Sequence, residues 1–169
     1  MHQYFAKNYI FCPRCGTRFE KKEEHLHCPQ CQFRVYPSPT PATAVFILNQ
    51  KNELLLGERK IDPQKGYWDA IGGFVEPEES VEKGAIREAK EESNLDVKID
   101  YILGTLEDTY QGKPTFTVAL VASVIGGEPK AKDDVAQLRW FDLNQLPTDD
   151  EIAFESVKVL LKKLKNKLT

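Results

Sequence analysis

The chain has 169 residues, 41% of them apolar and 29% charged, which is one ordinary domain plus a small appendage and neither a disordered nor a membrane class. Its longest apolar stretches, such as 117–125, fall far short of the ~20 residues a membrane span needs. Residues 1–10 lack the apolar run of a secretory signal, so a cytoplasmic location is expected. Net charge is −3, with a basic N-terminal region, five lysines and no acid in 158–169, and a strongly acidic middle. An acidic centre suits hard cations better than direct binding of a polyanion.

In chain order the four cysteines come first. Cys12-Pro13-Arg14-Cys15 and Cys28-Pro29-Gln30-Cys31 are two C-x-x-C pairs with twelve residues between them. Each pair can wrap two thiolates around one ion, and two such knuckles complete a tetrahedral shell that suits a structural Zn²⁺. Residues 1–36 therefore read as a small four-cysteine zinc ribbon; paired disulfides or a redox site are the weaker alternative in a reducing compartment. His25 and His27 read as solvent-facing loop residues, with a backup ligand role as the alternative. Arg14, Arg18, Lys21, Lys22 and Arg34, with Phe19 and Phe33, could form a nucleic-acid surface. A folding or dimerisation module is the favoured alternative, and a homodimer stays open.

Residues 37–41 (Pro-Ser-Pro-Thr-Pro) form a stiff linker. Residues 42–169 read as one α/β unit. A hairpin is expected from Ala42–Leu48 and Glu53–Gly57, with a turn at Asn49–Asn52. Trp68 to Val75 contains the Gly72–Gly73 pair. Ser80 N-caps a helix that stops near Asn94. Strands follow at Val97–Leu106, Phe116–Ile125 and Gln137–Phe141, with Gly112 in the turn between the first two. Ile152–Leu168 reads as an amphipathic helix with Val157, Leu160, Leu161, Leu164 and Leu168 on its apolar face. Docking of that helix on the sheet is favoured over membrane-surface binding, so no membrane partner is expected.

The central helix carries the chemistry. At ~100° per residue, Glu88, Glu91 and Glu92 share one face. Like charges at i,i+3 and i,i+4 repel, and anions at a helix C-terminus oppose the macrodipole. Local stability therefore argues against this arrangement, and a bound Mg²⁺ or Mn²⁺ would reverse the sign. Val81, Ala85 and Ala89, spaced by four, give the helix a packing stripe. On charge alone, an acidic surface helix is the simpler explanation.

The spacing is more informative than the charge. Gly73, Glu79, Arg87, Glu88, Glu91, Glu92 and Leu95 resemble the Nudix box, a pattern 23 residues long, with Asn94 in place of its second glycine. Asn tolerates the left-handed conformation of a helix stop, so the exchange is benign. The resemblance implies a Nudix α/β/α sandwich with a mixed sheet, preceded by the ribbon. It implies Mg²⁺ (or Mn²⁺) held by Glu88, Glu91 and Glu92 with help from the Gly73 carbonyl, and Glu79 with Arg87 as a bracing pair. The family's general base often comes from the loop before a Trp-Phe strand. Here that is Glu128–Asp134, with Asp134 six residues ahead of Trp140; a solvated loop aspartate is the equal alternative.

Ribbon, Tyr36-Pro37 and box together are similar to the NAD(H) pyrophosphatase branch of the family over residues ~10–95. That branch carries a Ser-Gln-Pro-Trp-Trp stretch after the box, and this chain has none. ADP-ribose, NAD(H) and related dinucleotides are the leading substrate class, cleaved at the diphosphate. A nucleoside triphosphate or an RNA 5′ end is one alternative; a non-catalytic nucleotide sensor binding nucleic acid through the ribbon is the other. Tyr110 and Trp68 are candidates for stacking on a base, as is Phe74, with core packing favoured for Phe74. Arg59 is a candidate phosphate contact, with an ordinary surface arginine as the equal alternative.

Overall fold

The computed structural model describes residues 2–168. The chain divides into two compact units. The first runs to Thr40 and takes in Thr109–Pro114; the second comprises Pro41–Asp108 and the chain from Thr115 onward.

The first unit opens with a short helix, α1 (Gln3–Asn8), which the sequence reading did not anticipate. Three two-residue strands follow, β1 (Glu20–Lys21), β2 (Leu26–His27) and β3 (Arg34–Val35), paired antiparallel in that order. Cys12, Phe19, Leu26 and Cys28 form its small buried cluster, with Cys31, Phe33 and Val35 packed against them. So small a core cannot by itself offset the entropy of ordering some forty residues.

The second unit is built on a six-stranded mixed sheet. Its strands are β4 (Thr40–Leu48), β5 (Leu54–Arg59), β6 (Trp68–Asp69), β7 (Asp96–Tyr110), β8 (Lys113–Gly126) and β9 (Val135–Phe141), in the order β6-β5-β4-β8-β7 with β9 beside β5. β5 pairs with β9 along its length, from Leu54↔Phe141 to Arg59↔Val135. Its other edge pairs first with β4 and then with β6. Two helices cover the sheet, α2 (Val81–Ser93) and α3 (Glu155–Leu168).

Strict alternation in the central strands explains why both faces are buried. In β4, Ala44, Phe46 and Leu48 face one core and Val45 and Ile47 the other; Leu54 and Leu56 of β5 oppose Leu55 in the same way. Val157, Leu160, Leu161 and Leu164 of α3 fill the first core. Ala85 and Ala89 of α2, with Val81 at the edge, close the second.

The hairpin turns fall at Asn52 and at Gln111–Gly112, all with positive φ. β7 and β8 run several residues beyond their expected ends. α3 starts later than expected, at Glu155. Ile152 instead bridges Trp68 in parallel, and the Ala153 amide donates to the Trp68 carbonyl at 2.9 Å. Leu168 is 41% exposed and not part of the apolar face. Among the described residues no helix is long and apolar enough to cross a membrane.

Candidate active site and metal centre

The four cysteines converge. Their Sγ atoms all lie within 4.8 Å of one another, with Cys12–Cys31 at 3.6 Å, Cys15–Cys28 at 3.4 Å and Cys15–Cys31 at 3.5 Å. Four thiolates bound to one Zn²⁺ at ~2.3 Å would stand ~3.8 Å apart, so the cluster matches a tetrahedral shell. None of the cysteines is in a disulfide. The two knuckles are built alike. Gly16 and Gln32, each following the second cysteine of its pair, have positive φ, and their amides donate to the Cys12 and Cys28 carbonyls at 2.8 and 3.0 Å.

One expectation for the ribbon is corrected and one alternative is narrowed. His25 and His27 are half-buried, not solvent-facing: His27 Nε2 pairs with Gln32 Oε1 at 2.9 Å, and the His25 ring lies 5.2 Å from that of Tyr36. Phe19 is buried in the ribbon core and Phe33 packs against it beneath the Arg14 guanidinium, 5.0 Å from the ring centroid. Neither ring is free to stack on a nucleic-acid base. Tyr9, Phe11 and Tyr36 are the exposed ones instead among the described residues of this unit.

In the second unit, α2 forms for local reasons. The Ser80 hydroxyl accepts from the Lys83 amide at 3.3 Å, and Asn94 stops the helix in the left-handed conformation at φ 61°. Arg87 is the hub of the acidic face. It donates from Nε and Nη2 to the two oxygens of Glu79 at 3.2 and 2.8 Å, and from Nη2 to the Phe74 carbonyl at 3.0 Å. Its Nη1 donates to Glu88 Oε1 and Glu91 Oε2, both at 2.9 Å. One planar fork thus joins the entry loop to two of the three box glutamates, a task lysine cannot reproduce. Glu79 also accepts from the Glu76 amide at 2.7 Å. Hydrogen bonding to Arg87 holds the Glu79 carboxyl below its ordinary range, and Glu79 in turn pushes Arg87 higher.

The glycine pair meets the helix at the other glutamates. The Gly72 amide donates to Glu92 Oε2 at 2.9 Å. Gly72 has φ 145°, and a Cβ there would collide with the Thr43 carbonyl. A Cβ on Gly73 would stand 2.6 Å from Glu88 Oε1. No larger residue lets the backbone come this close. Gly84 is a glycine in mid-helix, a residue that costs about 1 kcal/mol there; a Cβ on it would stand 2.8 Å from Glu79 Oε1.

Burial, above all, pushes the Glu92 carboxyl up to about 8, with the charges of Glu88, Asp69 and Asp134 adding and the Gly72 amide opposing. Glu88 is raised as well, again chiefly by burial. Glu91 is half exposed. Among the described residues, only the cysteines bring three or more ligand atoms within 4.8 Å of one another; the glutamates, two of them held by Arg87, do not. Glu92, buried against backbone with anions around it, has no cationic side chain bonded to it and fits a site that needs a hard cation.

Asp134 and Asp133 stand close enough for their charges to act on Glu92 and Glu88 respectively. The Lys60 amide donates to the Asp134 carbonyl at 2.7 Å. Arg59, the end of β5, is not a surface arginine. Its Nε donates to the Pro63 carbonyl at 2.7 Å and its Nη1 to Asp69 Oδ2 at 3.0 Å, both partners of that ion pair being 15% exposed, and its guanidinium lies over the Phe154 ring. Asp69, which no sequence motif singled out, is raised to about 6 by burial against the pull of Arg59. Trp68 packs edge-on against Phe141 at 5.0 Å and is half-buried. Phe74 is 41% exposed, which corrects its expected core placement; Ile71 takes the inward position. Tyr110 is the last residue of β7, half-buried, and groups with the first unit.

The NUDIX domain family matches residues 38–162. The chain belongs to the Nudix family. It is 37% identical to an ADP-ribose pyrophosphatase of Methanocaldococcus jannaschii over 158 residues, covering 92% of this chain and 88% of that protein. It is 30% identical to the NAD-capped RNA hydrolase NudC of Pseudomonas aeruginosa over 85% of this chain, and spans about half the length of that relative (51%). A crystallised NUDIX hydrolase from Nitrosomonas europaea superposes with a TM-score of 0.81, at 24% identity, over 93% of this chain and 90% of that one. That last likeness supports the fold.

Proposed function

We propose that this Nudix hydrolase cleaves the diphosphate linkage of a nucleoside diphosphate derivative, with ADP-ribose first among the candidates. The observation that carries the proposal is Glu92, a buried carboxylate held by the Gly72 amide beside a braced Glu79–Arg87–Glu88 network. The likeness to an ADP-ribose pyrophosphatase over nearly the whole of both chains supports that substrate. The absence of a Ser-Gln-Pro-Trp-Trp stretch weighs against NADH.

Glu88, Glu91 and Glu92, with the Gly73 carbonyl, would hold Mg²⁺ or Mn²⁺. Such an ion polarises a diphosphate and makes water a better nucleophile at neutral pH. Arg87 and Glu79 keep the helix at a fixed angle to the glycine turn. Asp134 accepts the proton of the attacking water, its place set by the Lys60 amide on its carbonyl. Arg59 positions β6 through Asp69; with its donors so engaged, its role is bracing more than phosphate binding. Trp68, partly buried at the rim of the core, and Tyr110 are the candidates for stacking on a base. In the ribbon (residues 1–36, joined by 37–41 to the Nudix domain 42–169), Zn²⁺ held by Cys12, Cys15, Cys28 and Cys31 is structural. The enzyme is cytoplasmic in this account.

The test is Mg²⁺-dependent turnover of ADP-ribose, NADH, NAD⁺, diadenosine polyphosphates, nucleoside triphosphates and 5′-capped or triphosphorylated RNA by zinc-loaded protein. ADP-ribose should lead. Turnover of none of them by folded protein would favour a nucleotide-sensing regulator instead.

A further inference from the structure

Asn94 stands where the Nudix pattern has glycine. Its left-handed backbone, φ 61° and ψ 10°, is one that glycine adopts more easily. Helix termination therefore does not account for the asparagine; its side chain does something a glycine cannot. Nδ2 donates to the Glu128 carbonyl at 3.0 Å, and Oδ1 accepts from Lys132 Nζ at 2.8 Å. Glu128 and Lys132 belong to the loop between β8 and β9, and Lys132 is two residues from Asp134.

We propose that Asn94 is a positioning residue: it ties the C-terminus of the carboxylate helix to the 128–134 loop and so sets where Asp134 stands. This rests on the assignment of Asp134 as the proton acceptor.

The contacts around Asn94 all act in one direction. The last carbonyls of a helix have no partner within it. Here the Lys130 amide donates to the Ser93 carbonyl at 2.9 Å and the Lys132 amide to the Glu92 carbonyl at 3.0 Å. The loop thus completes the helix end at Glu92 and Ser93. Gly127, at φ 83°, lies flat on the cap: a Cβ there would stand 2.5 Å from the Asn94 carbonyl oxygen. At its far end the loop is held by Lys60, whose amide donates to the Asp134 carbonyl at 2.7 Å and whose Nζ donates to the Asp133 carbonyl at 3.2 Å. Asn94 is the side chain that spans the loop's near half. A catalytic group displaced by about 1 Å loses up to a hundredfold in rate, so a tether of this kind acts on turnover more than on substrate binding.

The experiment compares Asn94→Gly, Lys132→Met and Asp134→Ala with wild type in the full chain, using ADP-ribose and Mg²⁺, with amide hydrogen exchange of the loop as the second readout. Asn94→Gly should keep the melting temperature within a few degrees, because glycine suits the cap. It should speed exchange at the Lys130 and Lys132 amides and lower kcat about tenfold with KM little changed. Lys132→Met should do part of the same, non-additively with Asn94→Gly. Unchanged loop exchange in Asn94→Gly overturns the tether. Faster exchange with wild-type kcat, in a protein where Asp134→Ala is impaired, overturns its role in turnover. Wild-type kcat in Asp134→Ala overturns the assignment of Asp134 and with it the mechanistic half of this proposal, while the exchange data still decide whether the tether exists.

Discussion

The molecule holds two groups of metal-ligand side chains, and they are arranged in opposite ways. In the ribbon the ligand atoms already converge, all four sulfurs within 4.8 Å, around a core too small to hold the segment together. In the Nudix unit the three glutamates do not converge; Arg87 bonds two of them, and the surrounding core is complete on both faces of the sheet. On the proposed function, the ribbon would need its ion to hold together and the Nudix unit only to work; there Arg87 already sets a cation of the chain against the acidic helix face. The charge repulsion that made Glu88, Glu91 and Glu92 look unfavourable in isolation is thus partly answered within the chain.

The contrast can be broken most forcefully at the cysteines. Free energies of structural zinc binding reach ~10–16 kcal/mol, so Cys28→Ser or a strong chelator should abolish protected amides across residues 10–35. The cooperative unfolding of the Nudix unit should barely move. Loss of both together would erase the distinction.

Next in size is activity. Glu92→Gln should lower kcat by about 10³ without lowering the melting temperature, since it replaces a buried carboxylate by a neutral isostere. Arg87→Gln tests the other half. It strands Glu79 and Glu88 without their partner, and a melting temperature lower by about 5 °C is expected in the absence of Mg²⁺.

The pH dependence sharpens the comparison further. Glu92 is raised to about 8 in the folded protein. The folded state therefore binds this proton more tightly than the unfolded chain, whose carboxyl titrates near 4.3. Stability from this group is fully present below that value and is lost as pH rises through about 8. Without Mg²⁺, wild-type protein should melt at a lower temperature at pH 8.5 than at pH 6, Glu92→Gln should show a smaller difference, and added Mg²⁺ should restore most of the wild-type loss. Equal slopes for wild type and variant would contradict the assignment. The smallest effect is expected from Tyr110→Ala, a rise in KM for ADP-ribose of a few-fold with kcat unchanged; an unaltered KM excludes the stacking role.

What the sequence disclosed was local. Two C-x-x-C pairs, a capped helix with a box at fixed spacing, and alternating strands are each patterns over a few residues, and each appears where it was expected. Contacts between distant segments were hidden. Arg87 was expected to brace Glu79, but its bond to the Phe74 carbonyl depends on how the entry loop folds back. Arg59 read as a phosphate contact or, equally, a surface arginine, and only the return of β6 supplies Asp69. Phe74 looked like core because it is aromatic and follows two glycines; the bridges Val45↔Ile71 and Ala42↔Phe74 hand the inward place to Ile71. Leu168 continues the leucine stripe of α3 one turn past the end of the core it would cover. Gly84 was the available clue that was missed, since a glycine inside a helix asks what stands against it.

The central claim is that Glu92 belongs to a divalent-cation site that hydrolyses a nucleotide diphosphate. It is tested most directly by measuring AMP formation from ADP-ribose with and without Mg²⁺, in wild type and in Glu92→Gln, with zinc content verified in both. The account predicts turnover by wild type only with Mg²⁺, and a loss of about three orders of magnitude in the variant. Metal-independent turnover, or a variant as active as wild type, would contradict it.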